Sequence, residues 1–115
     1  MKYILLMIVD ESSWQNLTPE QMQPMIDEME RYNDQLRQGG AWVSGEGLDF
    51  SSTAKTVRVE NGNRTVTDGP HADATEQLGG FWIIEAASID DAIGWAHKVP
   101  LTTGSVEVRA LVPDQ

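Results

Sequence analysis

The chain contains no cysteine, which excludes disulfides, thiol nucleophiles and thiolate metal sites and agrees with a reducing compartment. It also lacks any run near the roughly 18 to 20 uninterrupted apolar residues that a membrane span requires. The longest such run, residues 3–9, stops at Asp10 and reads as a strand. Lys2 precedes it, but no small-residue cleavage site follows, so no secretory signal is expected and the expected location is cytoplasmic. Basic residues are scarce, eight against eighteen acids for a formal net charge of -10. Arg58, Arg64 and Arg109 are too few and too dispersed to form a basic stripe, and an acidic surface repels phosphate backbones, so direct nucleic-acid binding is not expected. Gly-rich phosphate loops are missing as well: neither Gly39-Gly40 nor Gly79-Gly80 fits a dinucleotide or Walker pattern, and no nucleophile elbow occurs.

What is present suffices for one domain. With 115 residues and 40% apolar content the chain closes a single modest core, residues 1–115 together. The linker-like stretch at residues 11–16 is too short to separate domains.

Residues 3–9 are apolar on both alternating faces, which suits a central strand covered on both sides. Thr18, Pro19, Glu20 and Gln21 form a helix start with an N-cap, a Pro at the first helical position, an early acid and a capping-box Gln. Met22, Met25, Ile26, Met29, Tyr32 and Leu36 then recur at three and four residues as one stripe expected to be buried, and Gly39 and Gly40 supply a left-handed stop. Residues 41–44 begin a second strand that Gly45 and Gly47 weaken or bulge. Asn61-Gly62, flanked by residues 56–60 and 63–67, is a two-residue type I′ turn signal that pairs Val57 with Val66 and Arg58 with Thr65. Residues 81–85 form another strand. Ser88, Asp90 and Asp91 start a second helix expected to bury Ile89, Ala92, Ile93, Ala96 and Val99 and to end before Pro100, and residues 105–111 form the last strand.

This order gives an α+β class: a ferredoxin-like split βαβ with an added β-hairpin, an antiparallel sheet with two helices on one face. The other face then exposes apolar residues, and such a patch marks an interface. A homodimer through the open sheet face is therefore expected.

The segment from Thr67 through Asp68-Gly69-Pro70-His71 to Glu76, Leu78-Gly79-Gly80 and Phe81 resembles the signature of the DGPF branch of the YCII-related family. The opening residues 1–7, the Gly45–Leu48 turn, the helix end before Pro100 and residues 106–109 fit the same pattern, so the resemblance covers essentially the whole chain. His71 departs from it where the family usually has Phe, as does Thr75 where Lys is common. The resemblance implies a dimeric α/β barrel, a superfamily whose sheet-lined pockets hold small molecules. It also implies association with extracytoplasmic-function sigma factors.

Asp68-Gly69-Pro70 is first a turn, because Asp caps its own backbone while Gly and Pro set the dihedrals. The same turn can hold the Asp68 carboxylate at a pocket mouth as a general acid or base, with His71 three residues on as its partner; the alternative for His71 is a plain surface residue. Asp73 and Glu76 beside His71 offer oxygen and nitrogen ligands in a spacing that is not a recognised metal motif, so no metal or other cofactor is assigned. Glu76, Arg109 and Trp82 are candidate ligand-binding residues. Arg109 serves either as an anion anchor or as the partner of Glu107 or Asp68, and Trp82 either fills the core or interface, like Trp42 and Trp95, or walls a pocket. His97 fits a helix C-terminus and needs no catalytic role. The reading is a homodimer that binds a small organic molecule between sheet and loop, with proton-transfer or hydrolytic chemistry through Asp68 and His71; the alternative is a noncatalytic interaction or sensing module partnering a sigma factor.

Overall fold

A computed structural model describes residues 1–113. The first strand, β1 (Lys2–Asp10), runs into a short 3-10 turn at Glu11–Ser13 and then helix α1 (Pro19–Gln38). Strand β2 (Trp42–Gly47) follows, then a 3-10 turn at Ser51–Thr53 and the hairpin strands β3 (Lys55–Glu60) and β4 (Asn63–Asp68). Strand β5 (Glu76–Glu85), helix α2 (Ile89–Ala96) and strand β6 (Ser105–Ala110) complete the chain. The four-stranded sheet has the order β2-β5-β1-β6 with every pairing antiparallel, which is the split βαβ arrangement expected, and the hairpin forms a separate two-stranded sheet.

Alternation along β1 divides the two faces of the sheet. Tyr3, Leu5, Met7 and Val9 are buried in one cluster with Trp82 and Ile84 of β5, Tyr32 and Leu36 of α1, Ala92 of α2, and Val99. Ile4, Leu6 and Ile8 point the other way with Phe81 and Ile83 and stay half-buried, so the open face carries an apolar stripe as anticipated. Tyr32 ties the two helices together: its hydroxyl donates to the carbonyl oxygen of Trp95 at 2.8 Å, and burial pushes its phenol pKa up.

Local signals are realised in detail. Thr18 Oγ1 accepts from the Gln21 N–H while Gln21 Oε1 accepts from the Thr18 N–H, the reciprocal cap that the sequence spells out. Hairpin register is Val57 opposite Val66 and Arg58 opposite Thr65, with Asn61 and Gly62 both at positive φ, as a type I′ turn demands. At the end of α1 the left-handed residue is Gly40, at φ 71°.

Three expectations need correction. The stripe of α1 is not uniformly buried: only Tyr32 and Leu36 are, whereas Met22, Met25 and Met29 are half-exposed and Ile26 is 46% exposed. The N-terminal half of the helix overhangs the sheet instead of sealing it. In α2, Ala92 is buried but Ile89 and Ile93 are exposed, because eight residues make only about two turns and one narrow face. Strand β5 starts at Glu76, well before the expected Phe81, since residues 76–80 pair with β1 despite Gly79 and Gly80. A register shift between Met7 and Ile8 absorbs the extra residue as a bulge.

The hairpin projects from the body. Val57, Val59 and Val66 are each more than half exposed, and the Cα radius of gyration is 16.0 Å, against about 13 Å for a compact domain of ~100 residues. Among the described residues no helix is long and apolar enough to cross a membrane.

Candidate functional site

Where α1 overhangs the sheet, a cavity of about 500 Å³ opens between them. Its floor is the far end of β1 and β5, with Met7, Val9, Gly79, Gly80 and Trp82; its roof is Met22, Met25, Ile26 and Met29 of α1; Trp14 and residues 48–50 close the sides. Glycine keeps this end of the sheet open. A Cβ on Gly79 would stand 2.9 Å from Val9 Cγ2 and 3.3 Å from Met7 Cε, and one on Gly45 would stand 2.7 Å from Trp82 Cδ1. The Trp82 ring is fixed on other sides too: its Nε1–H donates to Asn33 Oδ1 at 2.8 Å, and Tyr32 meets it edge-on with ring centroids 5.1 Å apart. Four thioethers around rigid indole and sheet give a lining that adapts to shape without a defined polar grip.

That grip comes from one buried carboxylate. Glu11 is the first residue past β1, only 8% exposed, and lines the cavity. Both of its oxygens accept from Ser51, one from the backbone N–H at 2.7 Å and the other from the hydroxyl, so Glu11 also pins the residue 48–54 loop over the opening. Its own position is set by Asp10, which caps the 3-10 turn by accepting from the Ser12 N–H and hydroxyl; these bonds hold the Asp10 pKa below its ordinary value. Cation partners are absent from this end: ion pairs among the described residues join only Met1 to Glu85, Arg37 to Asp34, Lys55 to Asp68 and Arg109 to Glu107.

Of the candidate catalytic and ligand-binding residues, Trp82 alone lines the cavity. Asp68 lies at the root of the hairpin with its side chain 86% exposed, and its carboxylate accepts from Lys55 Nζ at 2.6 Å, across from it in register. His71 is exposed in the following loop, where its carbonyl oxygen accepts from Arg58 Nη2. Glu76 is exposed at the start of β5, opposite Asp10, and Arg109 is salt-bridged to Glu107 two residues away on the same strand face. Among the described residues no three His, Asp or Glu side chains stand close enough to hold a metal ion.

Glu11, Trp14 and the methionine roof were missed. Glu11 and Trp14 belong to the linker-like stretch of residues 11–16, and the methionines have the spacing of core positions. One signal was available: an acid directly after a wholly apolar strand sits at the end of the core, where burial without a cation is unusual.

Comparison with known families matches residues 1–114 to the YCII-related domain. An uncharacterized protein of Rhizobium meliloti (strain 1021) is 32% identical over 114 residues, 96% of this chain and 92% of its own length.

Proposed function

The chain belongs to the YCII-related family, and on that premise we propose that it binds a small, largely apolar organic molecule in the cavity between α1 and the sheet. The observation that carries this reading is the cavity itself. Protein interiors are close-packed, yet an apolar volume of about 500 Å³ stays open at the end of this core, within the range of small-molecule sites. The test is titration with the neutral fluorophore N-phenyl-1-naphthylamine. Emission should rise at micromolar protein and the rise should vanish in Met25→Trp, whose indole fills the roof. No enhancement, or enhancement undiminished in that variant, refutes the reading. Asp68 and His71 stand outside this cavity.

We also propose that two copies pair through the open sheet face. Ile4, Leu6, Ile8, Phe81 and Ile83 form its stripe, with Glu46 on β2 at one edge and the Glu107–Arg109 ion pair on β6 at the other. An apolar stripe rimmed by polar groups is a surface that a second copy covers when two copies face each other about a two-fold axis. Light scattering should give twice 12.7 kDa, falling to the monomer in Leu6→Glu; a monomer at micromolar concentration in the parent protein overturns it. A noncatalytic role beside an extracytoplasmic-function sigma factor has one observation in its favour, the projecting arm with Val57, Val59 and Val66 open to solvent. Pull-down at low salt from cells of the native host, with the Val57→Lys protein as control, tests that second reading.

A further inference from the structure

Resting on the cavity reading, the geometry points to an organic cation as the occupant: a protonated amine carried on an aromatic or branched apolar body. Among the described residues, those around the cavity include Glu11, Glu30, Glu46 and Asp49 and no Lys, Arg or His. Register places Glu46 opposite Phe81, on the open face, so its side chain turns away from the cavity. Glu11, Glu30 and Asp49 remain, none of them in an ion pair among the described residues.

Glu11 decides the sign of the charge. A carboxylate 8% exposed at the end of an apolar volume is stabilised here by two neutral donors from Ser51 and by nothing positive. A carboxylate oxygen can accept about two hydrogen bonds, so each Glu11 oxygen keeps a place for a further donor. An ammonium group supplies that donor together with the missing charge, and charge-assisted bonds of this kind are about twice as strong as neutral ones. Aromatic walls add to the preference, since Trp14 and Trp82 offer π-systems to a cation and flat surface to a ring. A carboxylate or phosphate ligand would meet three acids and no counter-charge. The apolar body follows from the roof, where Met22, Met25, Ile26 and Met29 leave a polyamine chain nothing to bond.

The experiment uses three probes with one ring and three head groups: naphthalen-1-ylmethylamine, naphthalen-1-ylmethanol and 1-naphthoate, titrated calorimetrically at pH 7 in low and in physiological salt. The amine should bind more tightly than the alcohol by at least about tenfold, and the naphthoate should bind least. Glu11→Gln should weaken the amine far more than the alcohol, bringing the two affinities close together. Glu30→Gln, an exposed substitution with no folding role, should weaken the amine by a smaller factor. Met25→Trp should abolish binding of amine and alcohol alike, which separates the cavity from diffuse attraction to an acidic surface. Equal binding of all three probes, or amine binding that Glu11→Gln leaves intact, overturns the charge assignment while the cavity reading stands. If no probe binds, or if Met25→Trp is without effect, both fail together.

Discussion

Removing the Glu11 carboxylate should destabilise the fold measurably, although the residue lies at the edge of the core. In Glu11→Ala the Ser51 N–H and hydroxyl each lose an acceptor. Hydrogen bonds to charged groups contribute about 1.5–3 kcal/mol apiece. Ser51 is half-exposed, so water replaces part of that, and a net loss of about 2–3 kcal/mol is expected. With about 2.1 cal/mol/K of unfolding entropy per residue, a chain of 115 residues should melt about 8–12 °C lower. Urea denaturation followed by tryptophan fluorescence gives the free energy, and hydrogen exchange at the Ser51 amide should accelerate with it. Ser51→Ala removes one of the two bonds and should lose about half as much. A Glu11→Ala protein within about 0.5 kcal/mol of the parent would refute the claim that this carboxylate pins the loop.

Tyr32→Phe removes the buried bond to Trp95 and should cost about 1–2 kcal/mol by chemical denaturation. The same phenol gives a pH signature. Its folded pKa lies above the ordinary 10.0 because burial opposes the charged form. The folded state therefore keeps a proton that the unfolded state releases, and stability should be full below pH 10.0 and decline as pH rises beyond it. Tyr32→Phe should flatten that decline. At the acid end Asp10 has the opposite sign: its pKa is depressed below the ordinary 3.8 by the Ser12 bonds. Its contribution is present above that value and disappears as pH falls through the lowered one, and Asp10→Asn should blunt the acid limb of the stability curve. Replacing residues 57–66 by a two-residue turn should leave the four-stranded body folded, because no arm residue enters the core; loss of cooperative melting would contradict this.

Most of the architecture was legible because each element announced itself locally. The reciprocal cap at Thr18 and Gln21, the Asn61-Gly62 turn and the alternation of residues 3–9 involve neighbours in sequence, whose geometry the residue types nearly dictate. The candidate site was less legible, for the converse reason. Whether Met25 or Ile26 is packed or merely overhangs depends on what the sheet beneath supplies, and Gly45, Gly79 and Gly80 supply no side chains there. Periodicity marks an apolar face but does not say what it covers. Glu11 joins Ser51 across forty residues, a contact no spacing rule shows. Asp68 drew notice through its turn motif, whereas its carboxylate pairs with Lys55 because hairpin register places the two opposite each other.

Four of the five methionines line the cavity, and the fifth, Met1, belongs to another part of the molecule. Carbon-13 methyl-methionine spectra during titration with N-phenyl-1-naphthylamine therefore test the central claim with an internal control. Occupancy of the cavity predicts that the Met7, Met22, Met25 and Met29 methyl signals shift together and saturate at one concentration while Met1 stays in place. Unmoved signals at saturating probe, or shifts no larger than that of Met1, would contradict it.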